Sequence, residues 1–155
     1  MKKNRYADPK QVENWTARKK SFIDLYPIEQ RTQFIGLRRR LIKALHDGGG
    51  GFLLGSDAPQ VGHVPGFAMH RELGVLVASG LIPYQALATG TRNIAVYFGT
   101  LDRSGTIEKG KQADLVRLEA NPLQDIANTS KIAGVIIGGR WLPKSEIERR
   151  LNDRS

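Results

Sequence analysis

The residue of this chain best placed to do chemistry stands near the end of a seven-residue run, Leu53-Leu54-Gly55-Ser56-Asp57-Ala58-Pro59. An apolar stretch stops at a small-residue step, delivers one carboxylate and meets a proline that ends strand pairing. A buried parallel strand presents a catalytic acid at its carboxyl end in this way. Taken alone, Asp57 also reads as a turn or helix-capping aspartate. The only imidazoles are His46, His63 and His70, and none of them forms an i, i+2 or i, i+4 pair. His46 reads as serving a helix C-terminus, and His70, beside Arg71 and Glu72, as structural. His63 falls in the loop just after Asp57, where it is either a ligand contact or a solvated side chain. A three-ligand catalytic zinc site cannot be written from these residues.

Other motifs fail on their own chemistry. Gly105-Thr106-Ile107-Glu108-Lys109-Gly110-Lys111 has the glycine and lysine spacing of a phosphate-binding loop. Gln112, however, replaces the Ser or Thr that would hold magnesium, and a strand follows where a helix N-terminus is required. The run reads as a hairpin turn. Gly48 to Gly51 lacks the third glycine of a dinucleotide fingerprint and precedes a strand. Ser56 is not in a Gly-x-Ser-x-Gly elbow, which argues against a serine hydrolase. Trp15 and Trp141 read as core or interface residues.

The elements that must position Asp57 follow from periodicity. Asp8-Pro9 predicts a helix start, with Val12, Trp15, Lys19 (by its stem), Phe22, Ile23 and Tyr26 at helical spacing and Pro27 as the stop. A second helix reads from Glu29 to His46, with Phe34, Leu37, Leu41, Ile42 and Leu45 on one stripe. Strand 52–55 comes next. Met69, Leu73, Leu76 and Val77 mark a third helix that Gly80 ends. Pro83 opens a fourth, running past Leu87, Ile94 and Phe98 to Gly99; Ile82 stands where a small polar cap would be expected. Short strands are predicted at 106–107, 113–118 and 134–137, with Gly138-Gly139 as a hairpin turn before Arg140-Trp141-Leu142. Residues 143–155 read as a charged helix.

Composition sets bounds. At 155 residues the chain is one ordinary domain in size, well short of the about 250 that a closed (β/α)8 barrel takes. There is no cysteine, which excludes disulfides and thiolate metal sites. No apolar run approaches the roughly 20 residues that span a bilayer, so no membrane is expected; the compartment is unknown, cytoplasmic only by default, since a lost upstream signal would leave no trace in these residues. The net charge of +9 is uneven: residues 1–47 hold 12 Lys/Arg against 5 Asp/Glu, and residues 48–155 hold 12 against 10. No aromatic residue interleaves with Arg18-Lys19-Lys20 or Arg38-Arg39-Arg40, so nucleic acid is not the expected partner.

Several blocks occur in a specific order: Leu54-Gly55-Ser56-Asp57-Ala58-Pro59; Pro65-Gly66-Phe67 leading to His70-Arg71-Glu72-Leu73; and Ala86-Leu87 with Thr91-Arg92-Asn93. Gly105-Thr106-Ile107, Gly110-Lys111-Gln112-Ala113-Asp114-Leu115, Asn121-Pro122-Leu123 with Ile126, and Val135 with Gly139-Arg140 complete them. From about residue 40 to 142 the chain resembles the carboxyl-terminal part of the metal-dependent amidohydrolase superfamily, in particular its imidazolonepropionase-like and prolidase-like members.

The resemblance implies an α/β fold: the C-terminal portion of a (β/α)8 metal-dependent hydrolase barrel plus a small β-sandwich segment. Residues 1–101 would be the last helices and final strand, 102–142 the sandwich segment and 143–155 a charged tail. Asp57 resembles the aspartate after the eighth strand. There it would touch a divalent metal, expected to be zinc, take the proton from the metal-bound water and pass it to the leaving amine. His63 would contact the substrate, a small amide or cyclic amide. The superfamily's His-x-His pair, bridging lysine and two later metal-binding histidines are absent. The expectation is a fragment, inactive and poorly folded alone, whose other metal ligands come from a missing N-terminal half or another subunit. The alternatives are a non-catalytic barrel remnant acting as a basic interaction module, and a truncated product without function.

Overall fold

The computed structural model describes residues 6–153, and the chain divides into two compact units. One comprises residues 1–50 with 55–81, the other residues 51–54 with 82–155. Residues 82–101 fall in the second of these units.

In the first unit, α1 (Pro9–Leu25) starts where the Asp8 carboxylate accepts the Lys10 N–H at 2.7 Å and Pro9 takes the first helical position. Tyr26 is extended ahead of Pro27, which ends α1 and opens α2 (Ile28–Asp47). The sequence predicted both helices within two residues. It also predicted an apolar stripe on α2, and here the structure adds something. Phe34, Leu37, Leu41 and Leu45 expose 50–57% of their surface, and no residue of α2 is buried. On α1, only Trp15 is buried. The buried apolar residues of this unit otherwise lie in and around α3 (Phe67–Ala78): Val64, Ala68, Leu73, Leu76 and Leu81. Gly80 ends α3 with a φ of 105°, and a Cβ there would lie 2.7 Å from Cδ of Lys43, whose stem crosses from α2.

The second unit begins with the extended link at 51–54. The strand expected at 52–55 does not form as a ladder. Its backbone is bonded at separate points instead: the Leu54 N–H donates to the Thr89 carbonyl at 2.9 Å, and Asn93 Nδ2 donates to the Phe52 carbonyl at 3.1 Å. No described segment lies alongside to pair with it, and Leu53 stays 44% exposed.

The fourth helix is two helices, α4 (Pro83–Thr89) and α5 (Arg92–Tyr97). The break falls at Gly90, where a Cβ would meet Cδ2 of Leu54 at 2.7 Å. The weak start expected at Ile82 is mended by Gln85, whose Oε1 accepts the Ile82 N–H at 2.9 Å.

Three strands, β1 (Leu115–Leu118), β2 (Ile132–Ile137) and β3 (Arg140–Pro143), form one antiparallel sheet in that order. Val116, Val135 and Leu142 lie in one row across it. The predicted Gly138-Gly139 turn is present, with φ of 55° and 79°, the left-handed pair that a two-residue hairpin requires. Residues 106–107 are not a strand: they lie in irregular backbone, Ile107 is 84% exposed, and Thr106 Oγ1 donates to Glu108. Gly134 lets the Trp141 indole lie flat on β2, since a Cβ there would come within 2.6 Å of both Trp141 and the Leu142 carbonyl. Among the described residues no helix is long and apolar enough to cross a membrane.

The sheet leads into α6 (Lys144–Asn152), where Arg149 and Arg150 both hydrogen-bond the Glu146 carboxylate in the first turn. These bonds, that of Arg149 foremost, lower the pKa of Glu146 from 4.5 to about 2. A folded value below the unfolded one adds stability above pH 4.5 that is lost as pH falls through about 2. The pair is exposed, so the contribution is small. We expect the Glu146 carboxyl carbon to titrate by NMR with a midpoint near 2, and α6 helicity to fall across the same window. The Glu146→Gln variant should lack that step; a midpoint near 4.5 would show that the two arginines do not hold the carboxylate.

Candidate active site

Asp57 follows the apolar link directly and is exposed. Its φ is 52°, the one left-handed backbone among the described non-glycine residues. Aspartate is among the few side chains that adopt this conformation at modest cost. Among the described residues its carboxylate has no hydrogen bond or ion pair, which leaves both oxygens available as acceptors or ligands. The loop beyond it is ordered by its own bonds. The Gln60 N–H donates to the Asp57 carbonyl at 3.1 Å, and the His63 N–H donates to the Gln60 carbonyl at 2.8 Å. The His63 ring, part-buried, places Nδ1 at 2.7 Å from the Ser56 carbonyl oxygen. The structure therefore brings Asp57 and His63 into one closed loop.

The other two histidines stand elsewhere. His46 lies in the last turn of α2, where the sequence put it. His70 sits on α3 with its pKa lowered by burial, which suits a neutral packed imidazole. A catalytic zinc takes three protein ligands. Among the described residues no three His, Cys, Asp or Glu side chains come together to hold a metal ion. Asp57 fits one ligand position and His63 offers one more nitrogen, so the donor set falls short of a metal centre.

The amidohydrolase family profile matches residues 8–142. This chain belongs to the amidohydrolase family. A bottromycin amidohydrolase superposes with a TM-score of 0.74 at 25% identity, covering 96% of this chain and 34% of its own. A Bifidobacterium longum protein assigned to the prolidases gives 0.60 at 35% identity, covering 73% and 29% respectively. A Xaa-Pro dipeptidase gives 0.63 at 23% identity, covering 86% and 33%. The comparison with curated proteins found no match. The amidohydrolase chain thus spans about a third of the length of these solved structures.

The fold expectation is met. The helices and the small antiparallel sheet correspond to part of the (β/α)8 hydrolases of this superfamily. What sequence reasoning missed is the bond between His63 and Ser56. A backbone carbonyl has no identity in a sequence, so no motif could have announced it.

The backbone of Asp57 gives a direct test of the loop geometry. Asp57→Gly is expected to change stability by less than about 0.5 kcal/mol, because glycine takes positive φ freely. Asp57→Val should lose roughly 1–2 kcal/mol from the left-handed position. Urea unfolding followed by tryptophan fluorescence compares the two, and equal losses would contradict the conformation assigned to Asp57.

Proposed function

We propose that this amidohydrolase chain supplies the carboxylate of Asp57 to an active site that hydrolyses a carbon–nitrogen bond outside ordinary peptide chains. The substrate class is a small amide, cyclic amide or dipeptide. The observation carrying the reading is Asp57 itself: exposed, unpaired among the described residues, and held at the head of an ordered loop within a region matched by the family profile. The 35% identity to the Bifidobacterium longum protein assigned to the prolidases supports a dipeptide or similarly small amide.

The chemistry asked of Asp57 is proton transfer. Its carboxylate takes a proton from the water that attacks the carbonyl carbon, and the proton then goes to the nitrogen as the C–N bond breaks. His63 lies on the same loop and would contact the substrate. A divalent metal, zinc by the resemblance, would take its remaining ligands from outside the described residues. On this reading residues 1–101 belong to the barrel, 102–142 to the sandwich and 143–155 to a charged tail.

A second reading, a basic interaction module, has its own support in the α1–α2 pair. Phe22, Tyr26, Gln30, Arg31 and Phe34 line a groove of about 350 Å³ there. Nε of Arg31 is buried without a partner among the described residues, which suits an acidic ligand.

The test separates the chain from its context. Expressed and purified alone, it should carry essentially no zinc by elemental analysis; one zinc per chain, lost in Asp57→Ala, would overturn the shortage of ligands. Purified from cells that make it, together with the polypeptides that accompany it, it should hydrolyse amides from a panel of dipeptides and cyclic amides. Asp57→Asn should then lower kcat by about 100- to 10,000-fold, the range for loss of a general base. Undiminished turnover in Asp57→Asn would remove Asp57 from the reaction.

A further inference from the structure

The contact between His63 and Ser56 specifies more than a loop closure. A carbonyl oxygen only accepts, so Nδ1 at 2.7 Å from the Ser56 oxygen must carry the ring proton. In the neutral ring this leaves Nε2 without a hydrogen, as the acceptor nitrogen. The Ser56 carbonyl also belongs to the peptide plane that ends at the Asp57 nitrogen, and the orientation of that plane sets φ of Asp57. The next plane, which carries the Asp57 carbonyl and sets ψ, is held by the Gln60 N–H at 3.1 Å. Both peptide planes around the Asp57 Cα are thus tied by hydrogen bonds from within the same short loop. That is what a left-handed aspartate needs, because its conformation persists only when neighbouring structure fixes it.

We propose that His63 is the positioning residue of Asp57: locked as the Nδ1–H tautomer by the Ser56 carbonyl, it fixes the preceding peptide plane and so aims the Asp57 carboxylate. The role assigned to Asp57 rests on the reading above, but the lock itself does not. Asparagine carries an N–H donor close to the place of Nδ1 and can replace the lock, whereas phenylalanine keeps the ring and loses the donor.

The experiment is NMR on the full chain labelled with ¹⁵N. Long-range ¹H–¹⁵N correlations read the ring tautomers of its three histidines, and the signal that disappears in His63→Asn identifies His63. The expected result is a protonated Nδ1 and a bare Nε2 on His63. Amide exchange then reads the peptide planes. The Gln60 N–H should exchange about tenfold faster in His63→Phe, as expected for one lost hydrogen bond, and within about twofold of the parent rate in His63→Asn.

A proton on Nε2 in the parent chain overturns the proposal, and so does unchanged Gln60 exchange in His63→Phe. The tautomer is read on the parent, so a variant that fails to fold leaves that arm intact. Asp57→Asn should leave the tautomer and the exchange rates as they are. A failure of Asp57 in hydrolysis would therefore show in turnover alone, and a failure of the lock in these spectra alone.

Discussion

The segment that leads to Asp57 is held by two hydrogen bonds, from the Leu54 N–H to Thr89 and from the Asn93 amide to Phe52. Much else in its unit follows from them. They need a carbonyl at the end of α4 and a side-chain amide on α5, so the helix expected to run unbroken from Pro83 to Gly99 is interrupted at Gly90. The interruption is also where Leu54 packs, against the space a Cβ would fill. A strand inside a sheet would satisfy its backbone on both edges. Here a corner of two short helices does part of that work from one side, and it does so with one backbone carbonyl and one asparagine.

The same shortage of neighbours governs the helices of the other unit. The stripe on α2 has the 3.6-residue period of a packed face, yet its leucines and Phe34 stand half exposed or more, with Arg38 lying over the Phe34 ring at 5.7 Å. A stripe of this kind is written for burial. The family match gives the scale, since the solved relatives are about three times as long. Helix boundaries survive without that burial because they are set locally, by Asp8, Pro9, Pro27 and the glycines after Asp47.

What was legible in the sequence divides along this line. Features decided within a few residues were readable: the caps of α1, the Gly138-Gly139 turn, the Asn121 loop and the stop at Gly80. The order of blocks around Asp57 was readable as a family, because spacing between motifs is a property of sequence. Features decided by distant partners were not. Thr106-Ile107 alternates like a strand, but the Thr106 hydroxyl finds Glu108 and Lys111 instead of a ladder. Residues 52–55 have the composition of a buried strand, and composition cannot supply the neighbour. In the candidate site the carboxylate was foreseen and its support was not, since that support runs through the Ser56 carbonyl.

In the role proposed for it, Asp57 shows how little sequence a catalytic group needs and how much geometry it needs. A carboxylate can take a proton from water wherever it stands, but a displacement of about 1 Å can cost on the order of 100-fold in rate. For the proposed role its aim therefore matters as well as its identity. On the proposal made above, that aim is set by backbone planes within the loop. Residues 56–63 close on themselves through the His63 ring and two turns, and none of those bonds depends on a sheet. A loop built this way keeps the Asp57 backbone at a defined geometry through its own hydrogen bonds, whether or not a paired strand precedes it.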